Sequence, residues 1–591
     1  MTSTPEAQGP TRLAVYLVEG RPVPGWRVPP HVLTALRGLR PYVDLLVVAV
    51  STDVGDTDRT ALGGSADLVL AEEGLSHASV IRSLLDRVAT YDQVLLTGSG
   101  WFGPVADLGS VLDRMAGVEV WSLLPQASRP AYDPALRLGP DPDWYVMPGH
   151  LAASDDLAAW RESGSSDDLV DSGRYAFPPE DYPSADPALM NLPALLDDGL
   201  PYVPVESFVV DPLVADRLAV VPADGFARLR HTGIDMGEVW HGLLDAAPLR
   251  VLTTNLGLTR VLGPAAGMAS GTVSSAVSSL RTAALLHLYY DELTDDLMDR
   301  VDLLPGEVHV VVTTTDEQRR ASIETRLSAR ARQYSHEVRV LPSNRGRDIS
   351  ALLVGCADVL RDPSYDLVVK LHGKRSVQDD VNASGWFRRH LLDNLFPDAS
   401  GTAGLYEWFS ADPQLGIAVP PVIHMYYPTM GHAWLGNRAL AESLAERLGV
   451  TVPLDDHTPV APYGSMFVAR REALEPWLSL GLTWEDFPEG AAYADGTLAH
   501  AIERMFCYVA AGTGRYTGTV LGRETVGIEY GFLEYKLQAV GSRMPAYAVD
   551  QVAFLDGGVV SWRALLQRRL PRLVERLRPL YRRLRTLRSH A

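Results

Sequence analysis

Two short polar clusters stand at the two ends of one helix and strand pattern, at Asn344–Asp348 ("NRGRD") and His372–Ser376 ("HGKRS"). Arginine binds phosphate through paired hydrogen bonds, and glycine lets a phosphate approach the backbone. The second cluster adds compact positive charge. Alone, the first cluster could equally be a solvated turn in which Asp348 caps a helix. The pair together favours a site for a nucleotide diphosphate.

A second set of candidate residues follows. "GSMFVAR" predicts a strand that begins near a ligand, and "ADGTLAHAIERM" predicts a helix that starts just after Asp495. A carboxylate at such a position serves as a general base for a hydroxyl nucleophile or as a plain helix cap. The polar side chains of that helix could equally face solvent. The sugar or acceptor candidates are Trp434, Asn437, Gly464, Ser465, His500 and Arg504.

The elements that must position these residues form an α/β pattern in two stretches. The first stretch has strand patterns such as "RLAVYLV" and "YDQVLLTGS", with the helix pattern "SVIRSLLDRV" between them. The second has strand patterns "AALLHLYY", "EVHVVVTTTD", "HEVRVLPSN", "YDLVVKLHG" and "LGIAVPP", and one long helix, "ISALLVGCADVL". Such alternation predicts parallel sheets covered by helices, and both polar clusters follow strands, where these sheets bind ligands.

The two stretches resemble each other, which predicts a tandem repeat. Gly74 aligns with Gly346, and Tyr91-Asp92 aligns with Tyr365-Asp366. The first copy has Glu-Glu-Gly-Leu-Ser in place of the first polar cluster and Thr-Gly-Ser in place of the second. We therefore expect the chemistry to belong to the second copy alone.

Composition excludes several classes of protein. The chain has 591 residues and a formal net charge of −20, which argues against a nucleic-acid partner. Only two cysteines occur, so we expect neither a disulfide framework nor a metal-ligand cluster. The first residues lack a basic start followed by an apolar core, and no apolar run is long enough for a membrane span, so we expect no signal peptide and no spanning helix.

Five stretches, in order, resemble the rhamnan synthesis protein F family: "HLYY", "NRGRDI", "YDLVVKLHGKRS", "GSMFVAR" and "DGTLAHAIER". The resemblance covers about residues 280–520 and weakens in the first half. The family builds rhamnose-containing bacterial polysaccharides and is similar to GT-A glycosyltransferases. In those enzymes an Asn- and Gly-containing turn opens a helix, a following strand ends in a metal-binding Asp-x-Asp, and a later carboxylate is the base.

The resemblance implies roles for individual residues. Asn344 to Gly346 match the turn and Asp495 matches the base. The middle element departs, because Leu371-His372-Gly373-Lys374 stands where Asp-x-Asp would be. Fixed cations would then stabilise the leaving diphosphate, so we expect no required cofactor, while Asp366 or Asp348 could still recruit Mg²⁺ or Mn²⁺. The expected donor-binding residues are Asn344, Arg345, Gly346, Arg347, Asp348, Asp366, His372, Lys374 and Arg375.

The sequence thus predicts an α/β fold of tandem GT-A-like (Rossmann-like) domains. Expected boundaries are 1–125 for a degenerate domain, 126–275 for a loop-rich helical connector, 276–545 for the catalytic domain and 546–591 for a basic tail. The expected activity is inverting transfer of a sugar, L-rhamnose by resemblance, from a nucleotide-sugar donor to a lipid-linked glycan acceptor. The alternative is a non-catalytic glycan-binding or scaffold subunit of a polysaccharide assembly complex.

The last 31 residues carry ten arginines and one glutamate, a local charge of +9 that leaves −29 for the rest. Leucines recur there at alternating steps of four and three, from Leu566 to Leu587, which also suits a coiled coil or a helix packed on the acidic body. Pro571 and Pro579 disfavour one long straight helix. We expect short amphipathic helices that bind anionic lipid, and a cytoplasmic protein at the inner face of the plasma membrane.

Overall fold

Runs of β-branched and other apolar residues form the strands of two main sheets. The computed structural model describes residues 10–125, 144–163, 174–182, 187–216, 218–263, 273–332, 334–373, 381–489 and 496–555. The strands are β1 Arg12–Val18, β2 Leu45–Ser51, β3 Leu68–Glu72, β4 Gln93–Gly98, β5 Trp101–Phe102, β6 Trp121–Ser122, β7 Tyr145–Met147, β8 Val203–Pro204, β9 Thr259–Val261, β10 Arg281–His287, β11 Glu307–Thr314, β12 Ser335–Val340, β13 Leu367–His372, β14 Leu415–Val419, β15 Phe467–Arg470 and β16 Tyr516–Leu521.

Helices cover both sheets, and short helical turns link them. The helices of seven or more residues are α1 Pro30–Leu39, α2 Asp56–Gly63, α3 His77–Ser83, α4 Leu108–Arg114, α5 Val221–Leu229, α6 Met236–Ala246, α7 Leu249–Asn255, α8 Thr294–Val301, α9 Glu317–Ser328, α10 Arg347–Leu353, α11 Val381–Leu395, α12 Ala399–Ala411, α13 Arg438–Leu448, α14 Leu498–Gly512, α15 Arg523–Gly541 and α16 Ala548–Leu555.

The two sheets share one strand order. The first runs β3-β2-β1-β4-β7-β6 and the second runs β12-β11-β10-β13-β15-β14-β16-β9. In each sheet the first four strands are parallel, and the next strand pairs antiparallel with β4 or β13. The predicted α/β class is confirmed, and the common order agrees with the repeat seen in the sequence.

The repeat extends to local backbone geometry. Gly74 and Gly346 both adopt a left-handed conformation, with φ of 68° and 72°. Ten residues further on, each copy breaks its helix at a residue of nearly the same conformation, Leu84 at φ −121° and ψ 19° and Cys356 at φ −122° and ψ 21°. The carbonyl of Ser350 accepts hydrogen bonds from two successive backbone amides just before the second break. The single long helix predicted over 349–360 is therefore wrong, because two short helices share that buried face.

The sheets also cross the predicted boundaries. Strand β7, beyond residue 125, hydrogen-bonds to β4 in the first sheet, and β9, before residue 276, joins the edge of the second sheet at β16. Backbone ladders join these strands to their sheets, so the two α/β units take in parts of the segment predicted as connector. The tail at 561–591 lies outside the described residues.

Candidate active site

Three parallel strands of the second sheet end side by side. His287, the last residue of β10, pairs in register with His372, the last residue of β13, and on its other side with Thr313 of β11. Strand β15 runs the opposite way, so its start at Phe467 lies beside Lys370 near the same edge. The carboxyl edge of this sheet thus gathers residues from strands that are far apart in sequence, where open α/β sheets bind ligands.

The turn Asn344–Asp348 reaches this edge and opens α10. Gly346 has φ of 72°, and Arg347 follows with φ of 54°, a left-handed value that non-glycine residues adopt at a cost. A Cβ at Gly346 would stand 2.4 Å from a ring carbon of buried Phe487. Glycine is therefore required at this position for two reasons: its left-handed backbone angle, and the Phe487 ring, which leaves no room for a Cβ.

Asp348 anchors the turn through its side chain. Its Oδ2 accepts hydrogen bonds from Lys370 Nζ at 2.5 Å and from the Ser465 hydroxyl, and His372 Nδ1 lies 3.4 Å away. Burial alone would raise the pKa of Asp348, but the charges of His372 and Lys370 and these hydrogen bonds outweigh it and hold the pKa well below its usual range. The carboxylate is thus engaged within the protein and positions the turn.

Lys370 completes this internal network. Its side chain is 2% exposed, and its Nζ also donates to the backbone carbonyl of Ser465 at 2.7 Å. Ser465 itself has φ of 50° and is buried. The ion pair therefore ties the turn before α10 to the residues that lead into β15, and it holds two residues with left-handed backbone, Arg347 and Ser465, at one site.

His287 lies beneath the turn in its neutral form. Its Nδ1 is 3.0 Å from the Thr313 hydroxyl, and its ring is hydrogen-bonded by the Asn344 side chain. Burial lowers the pKa of His287 to about 4, with a further contribution from the Lys370 charge, while Asp348 and Asn344 oppose the shift. Asn344 itself is exposed, so it presents its remaining polar atoms to the edge.

The arginines of the turn face outward. Arg345 Nη2 lies 2.6 Å from Glu489 Oε2, in an exposed ion pair, and Arg347 is exposed. An exposed pair of this kind contributes little stability, so a stronger anion can displace the glutamate. Lys374 and Arg375 lie outside the described residues, which resume at residue 381.

Asp366 is not brought to this edge. It precedes β13, and its carboxylate accepts a hydrogen bond from the backbone amide of Arg281 at 2.8 Å. His372 lies six positions further along the strand, at a distance of about 20 Å from Asp366. Asp92 plays the matching part in the first sheet, where it accepts from the amide of Thr11. The aspartate of the repeated Tyr-Asp pair thus joins neighbouring strands at the edge opposite the site.

The predicted acceptor residues divide into two groups. Ser465 belongs to the Asp348 network, and the amide of its neighbour Gly464 donates to Glu503 Oε2 at 3.1 Å. Arg504, which is buried, pairs with Glu503 and donates to the Ala433 carbonyl. His500 is half-buried on α14, with Nδ1 2.8 Å from the Thr497 hydroxyl.

Trp434 and Asn437 form the second group, and both are buried. The indole of Trp434 donates to the Asp455 carbonyl at 2.7 Å. Asn437 Oδ1 accepts from the amide of Gly496 at 2.9 Å. Asp495, the proposed base, lies outside the described residues, but the residue that follows it is tied to Asn437. Asn437 therefore positions the start of α14.

Sequence reasoning missed three residues of the site: Lys370, His287 and Glu503. A lysine in the apolar run "LVVKLH" was the available signal for the first, because a fully buried lysine requires a partner. His287 is the last residue of β10, as His372 is the last residue of β13, and this shared position was the available signal for His287. The stretch "HLYY" served only to support the family resemblance. Glu503 gave no signal that set it apart from a solvated helix face.

A comparison with known protein families identifies the part of the chain that contains the site. A family model described as RgpF, rhamnan synthesis protein F, matches residues 175–514. That span exceeds half of the 591 residues, and the chain belongs to the rhamnan synthesis protein F family. The match contains every described residue of the site.

Relatives and solved structures were also found. Uncharacterized protein WxcX, from two strains of Xanthomonas campestris pv. campestris, is 33% identical to this chain over 258 residues. Those residues are 43% of this chain and 35% of the relative. The chain therefore spans about a third of the length of the relatives it matches. The apo-form glycosyltransferase GlyE in Streptococcus pneumoniae TIGR4 is 12% identical, with 64% of this chain and 90% of that one covered and a TM-score of 0.21. The mannosyltransferase Ktr4p from S. cerevisiae in complex with GDP is 10% identical, with 48% and 79% covered and a TM-score of 0.25. Among the described helices, none has the length and apolarity to cross a membrane.

Proposed function

We propose that the chain is a glycosyltransferase of polysaccharide synthesis whose catalytic centre is the carboxyl edge of the second sheet. The observation that carries the proposal is the turn at 344–348, fixed from below by the buried Lys370–Asp348 pair inside the family-matched span. The first sheet repeats the backbone of this turn at Gly74 but has neither the arginines nor the lysine. The fixed turn and the chemistry-bearing residues thus coincide in one copy only.

The donor is a nucleotide diphosphate sugar, and rhamnose is the sugar that the family's name suggests. In the proposal Arg345 and Arg347 bind the diphosphate oxygens, and the adjoining sequence from His372 to Arg375 adds positive charge. These groups stabilise the charge that develops as the bond between sugar and phosphate breaks. Asp348 takes no part in donor contact, because Lys370 and Ser465 already engage its carboxylate.

The reaction we propose is a single displacement that inverts the anomeric carbon. Asp495 takes the proton of an acceptor hydroxyl, the hydroxyl oxygen bonds to the anomeric carbon, and the nucleotide diphosphate leaves with the electron pair of the broken bond. Asn437 holds the residue after Asp495 through the Gly496 amide, and so sets where the base begins. The acceptor is a glycan on a lipid carrier, and the proposal requires no metal ion.

The test is a donor hydrolysis and transfer assay with the full chain. Asp495→Asn is expected to abolish transfer and to leave donor affinity unchanged, because the base acts on the acceptor. Turnover close to that of the unaltered protein would remove Asp495 as the base. Full activity in EDTA is the result expected of a metal-free reaction, and activity restored only by Mg²⁺ or Mn²⁺ would overturn that part.

The same assay separates the enzyme from the alternative, a non-catalytic glycan-binding or scaffold subunit. Slow release of nucleotide diphosphate from the correct donor, without acceptor, supports catalysis. A protein that binds glycan but neither binds nor cleaves any nucleotide sugar would be the scaffold.

The membrane is the remaining proposed partner. We propose that the sequence 561–591, with its charge of +9, draws the protein to anionic lipid at the inner face of the plasma membrane. Each arginine near such a surface contributes about 1 kcal/mol. Deleting 561–591 is expected to weaken binding to anionic vesicles without changing donor hydrolysis, and equal sedimentation of both proteins would exclude this segment as the anchor.

A further inference from the structure

The chain between β14 and α13 borders the candidate active site. Strand β14 runs in the same direction as β13, because both pair antiparallel with β15, so its last residue, Val419, lies at the carboxyl edge of the sheet. Residues 420–437 follow, and we call them the rim segment. The structure describes all of these residues and places none of them in a helix or strand, so individual contacts hold the shape of the segment.

One series of contacts ties the first half of the rim segment to the site. The ring of Tyr427 lies 5.0 Å from the ring of Phe387 on α11, measured between centroids. The Phe387 ring fills the space beside Gly464, where an added Cβ would stand 3.1 Å from it. Gly464 precedes Ser465, whose hydroxyl donates to Asp348. The Phe387 ring alone therefore separates Tyr427 from the glycine beside the Asp348 network.

A second set of contacts ties the end of the rim segment to the start of α14. Arg504 donates to the Ala433 carbonyl at 3.0 Å. Gly436 packs against Gly496, with 3.9 Å between the Gly496 Cα and the place of a Cβ on Gly436. Asn437 Oδ1 accepts from the Gly496 amide at 2.9 Å. The rim segment thus borders both groups of residues that the proposed reaction uses.

The rim segment holds two large side chains on a left-handed backbone. Tyr426 has φ of 68° and Leu435 has φ of 49°, values that bulky residues adopt only when surrounding contacts enforce them. Five of the described residues other than glycine have a positive φ, and two of the remaining three are Arg347 and Ser465 of the site. Four of these five residues therefore lie at one edge of one sheet, as is typical of a ligand site.

The two strained side chains are exposed. Tyr426 is 64% and Leu435 is 47% exposed, whereas the neighbouring rings of Tyr427 and Trp434 pack against the protein. His432, between them, is also exposed. The strain gains little buried packing at either position, which points to a ligand as the reason for it. Apolar surface for the C–H faces of a sugar and an imidazole for its hydroxyls are together what a glycan requires.

We propose that the rim segment binds the glycan end of the acceptor, with Tyr426 and Leu435 against its sugar rings and His432 hydrogen-bonded to a hydroxyl. The segment then places the acceptor beside the start of α14, where the base is proposed, while the donor binds at the turn before α10. Trp434 and Asn437, which the sequence suggested for this role, support the segment from inside. The inference rests on the proposed function, because it assigns the binding surface for the acceptor of that reaction.

The first measurement is titration calorimetry of the full chain with oligosaccharides of rhamnose, without donor, because the description of the matching family names rhamnan. Tyr426→Ser and Leu435→Ser are each expected to weaken binding about tenfold, since each removes apolar surface from contact with the sugar. Tyr426→Phe is expected to bind as the unaltered chain does, because it keeps the ring. Tyr547→Ser and Val220→Ser are the matched controls, with side chains 72% and 63% exposed outside the rim segment. Binding that is unchanged in both serine variants of the segment, or absent from the unaltered chain, would overturn the proposal.

The second measurement separates binding from structure. Tyr426→Gly and Leu435→Gly relieve the strain of the left-handed backbone, so each variant is expected to unfold at the same or a higher urea concentration than the unaltered chain. Each is nevertheless expected to bind the oligosaccharide about tenfold more weakly. Unfolding of both glycine variants at a clearly lower urea concentration would contradict the proposal, because the two side chains would then serve stability.

Failure of this inference and failure of the proposed function give different results. In the transfer assay the two serine variants are expected to raise the KM for the acceptor about tenfold and to change the KM for the donor little. A chain that transfers sugar with the same acceptor KM in both variants would keep the proposed function and overturn this inference. A chain that binds rhamnose oligosaccharides through Tyr426 and Leu435 but cleaves no nucleotide sugar would overturn the proposed function and keep the rim segment as a glycan-binding surface.

Discussion

The pair Lys370–Asp348 offers the sharpest test of how the site is built. Lys370→Met keeps much of the lysine's apolar stem and removes its charge and both of its hydrogen bonds. The carboxylate of Asp348 would then remain at the site with Ser465 and His372 as its partners, and the carbonyl of Ser465 would lose its donor.

The magnitude follows from burial. Lys370 is 2% and Asp348 16% exposed at the side chain, so removing either partner leaves a charge with little access to water. Breaking such a pair costs about 3–5 kcal/mol in free energy of unfolding, and the unpaired carbonyl adds about 1–3 kcal/mol. Asp348→Asn is expected to cost a similar amount, because it isolates the lysine instead.

The assay is a double-mutant cycle by urea unfolding at neutral pH. The variant with both substitutions removes both members of the buried pair, so it is expected to be more stable than the sum of the two single effects allows, by about 3 kcal/mol. Arg320→Met is the control, because Arg320 and Glu324 form an exposed ion pair with side chains 42% and 44% exposed, whose loss is expected to cost under about 1 kcal/mol. The claim that the Lys370–Asp348 pair holds the turn would be refuted if the two single losses in free energy of unfolding added in the double variant. It would also be refuted if each single loss were as small as that of Arg320→Met.

Three further outcomes are expected. Gly346→Ala should lower the free energy of unfolding by about 2–4 kcal/mol, because the added carbon meets the Phe487 ring. Gly74→Ala has a similar backbone angle but nothing within 4 Å of the added carbon, so it should cost only about 1 kcal/mol. Equal costs for the two variants would show that the contact with the ring contributes nothing. The pKa of His287 is lowered to about 4 from its ordinary value near 6.5, so the unfolded chain binds a proton before the folded chain does as the pH falls. About 3 kcal/mol of the free energy of unfolding is therefore lost between pH 6.5 and 4. His287→Gln should make the free energy of unfolding depend less on pH in this range. Arg347→Ala and Lys374→Ala should each weaken binding of a nucleoside diphosphate by about 1–3 kcal/mol in titration calorimetry, and unchanged affinity in both would move the donor site elsewhere.

The sequence was sufficient for the architecture because apolar runs and turn residues act locally. The parallel strands and the repeat followed from such runs. The break at Cys356 was hidden, because the residues around it keep a buried helical face through the break.

The site was harder to predict because its contacts join distant segments. Lys370 looked like one polar residue in a strand, and only folding brings it to Asp348 and Ser465. Trp434 was named as a sugar or acceptor candidate on residue type, and neither its burial nor its hydrogen bond to the Asp455 carbonyl has a signal in the local sequence. Burial of that kind depends on the whole fold and leaves no local pattern.

The short strand β9 has a consequence for dividing the chain. It is three residues long, comes from the segment between the two α/β units, and pairs with β16 at the outer side of the second sheet. A protein begun at residue 276 would lack it, and the amides and carbonyls of β16 would be open to strands of other molecules, a recognised route to aggregation. A protein begun ahead of Thr259 would keep that side closed, so the two truncations should differ in solubility although they share the same candidate active site.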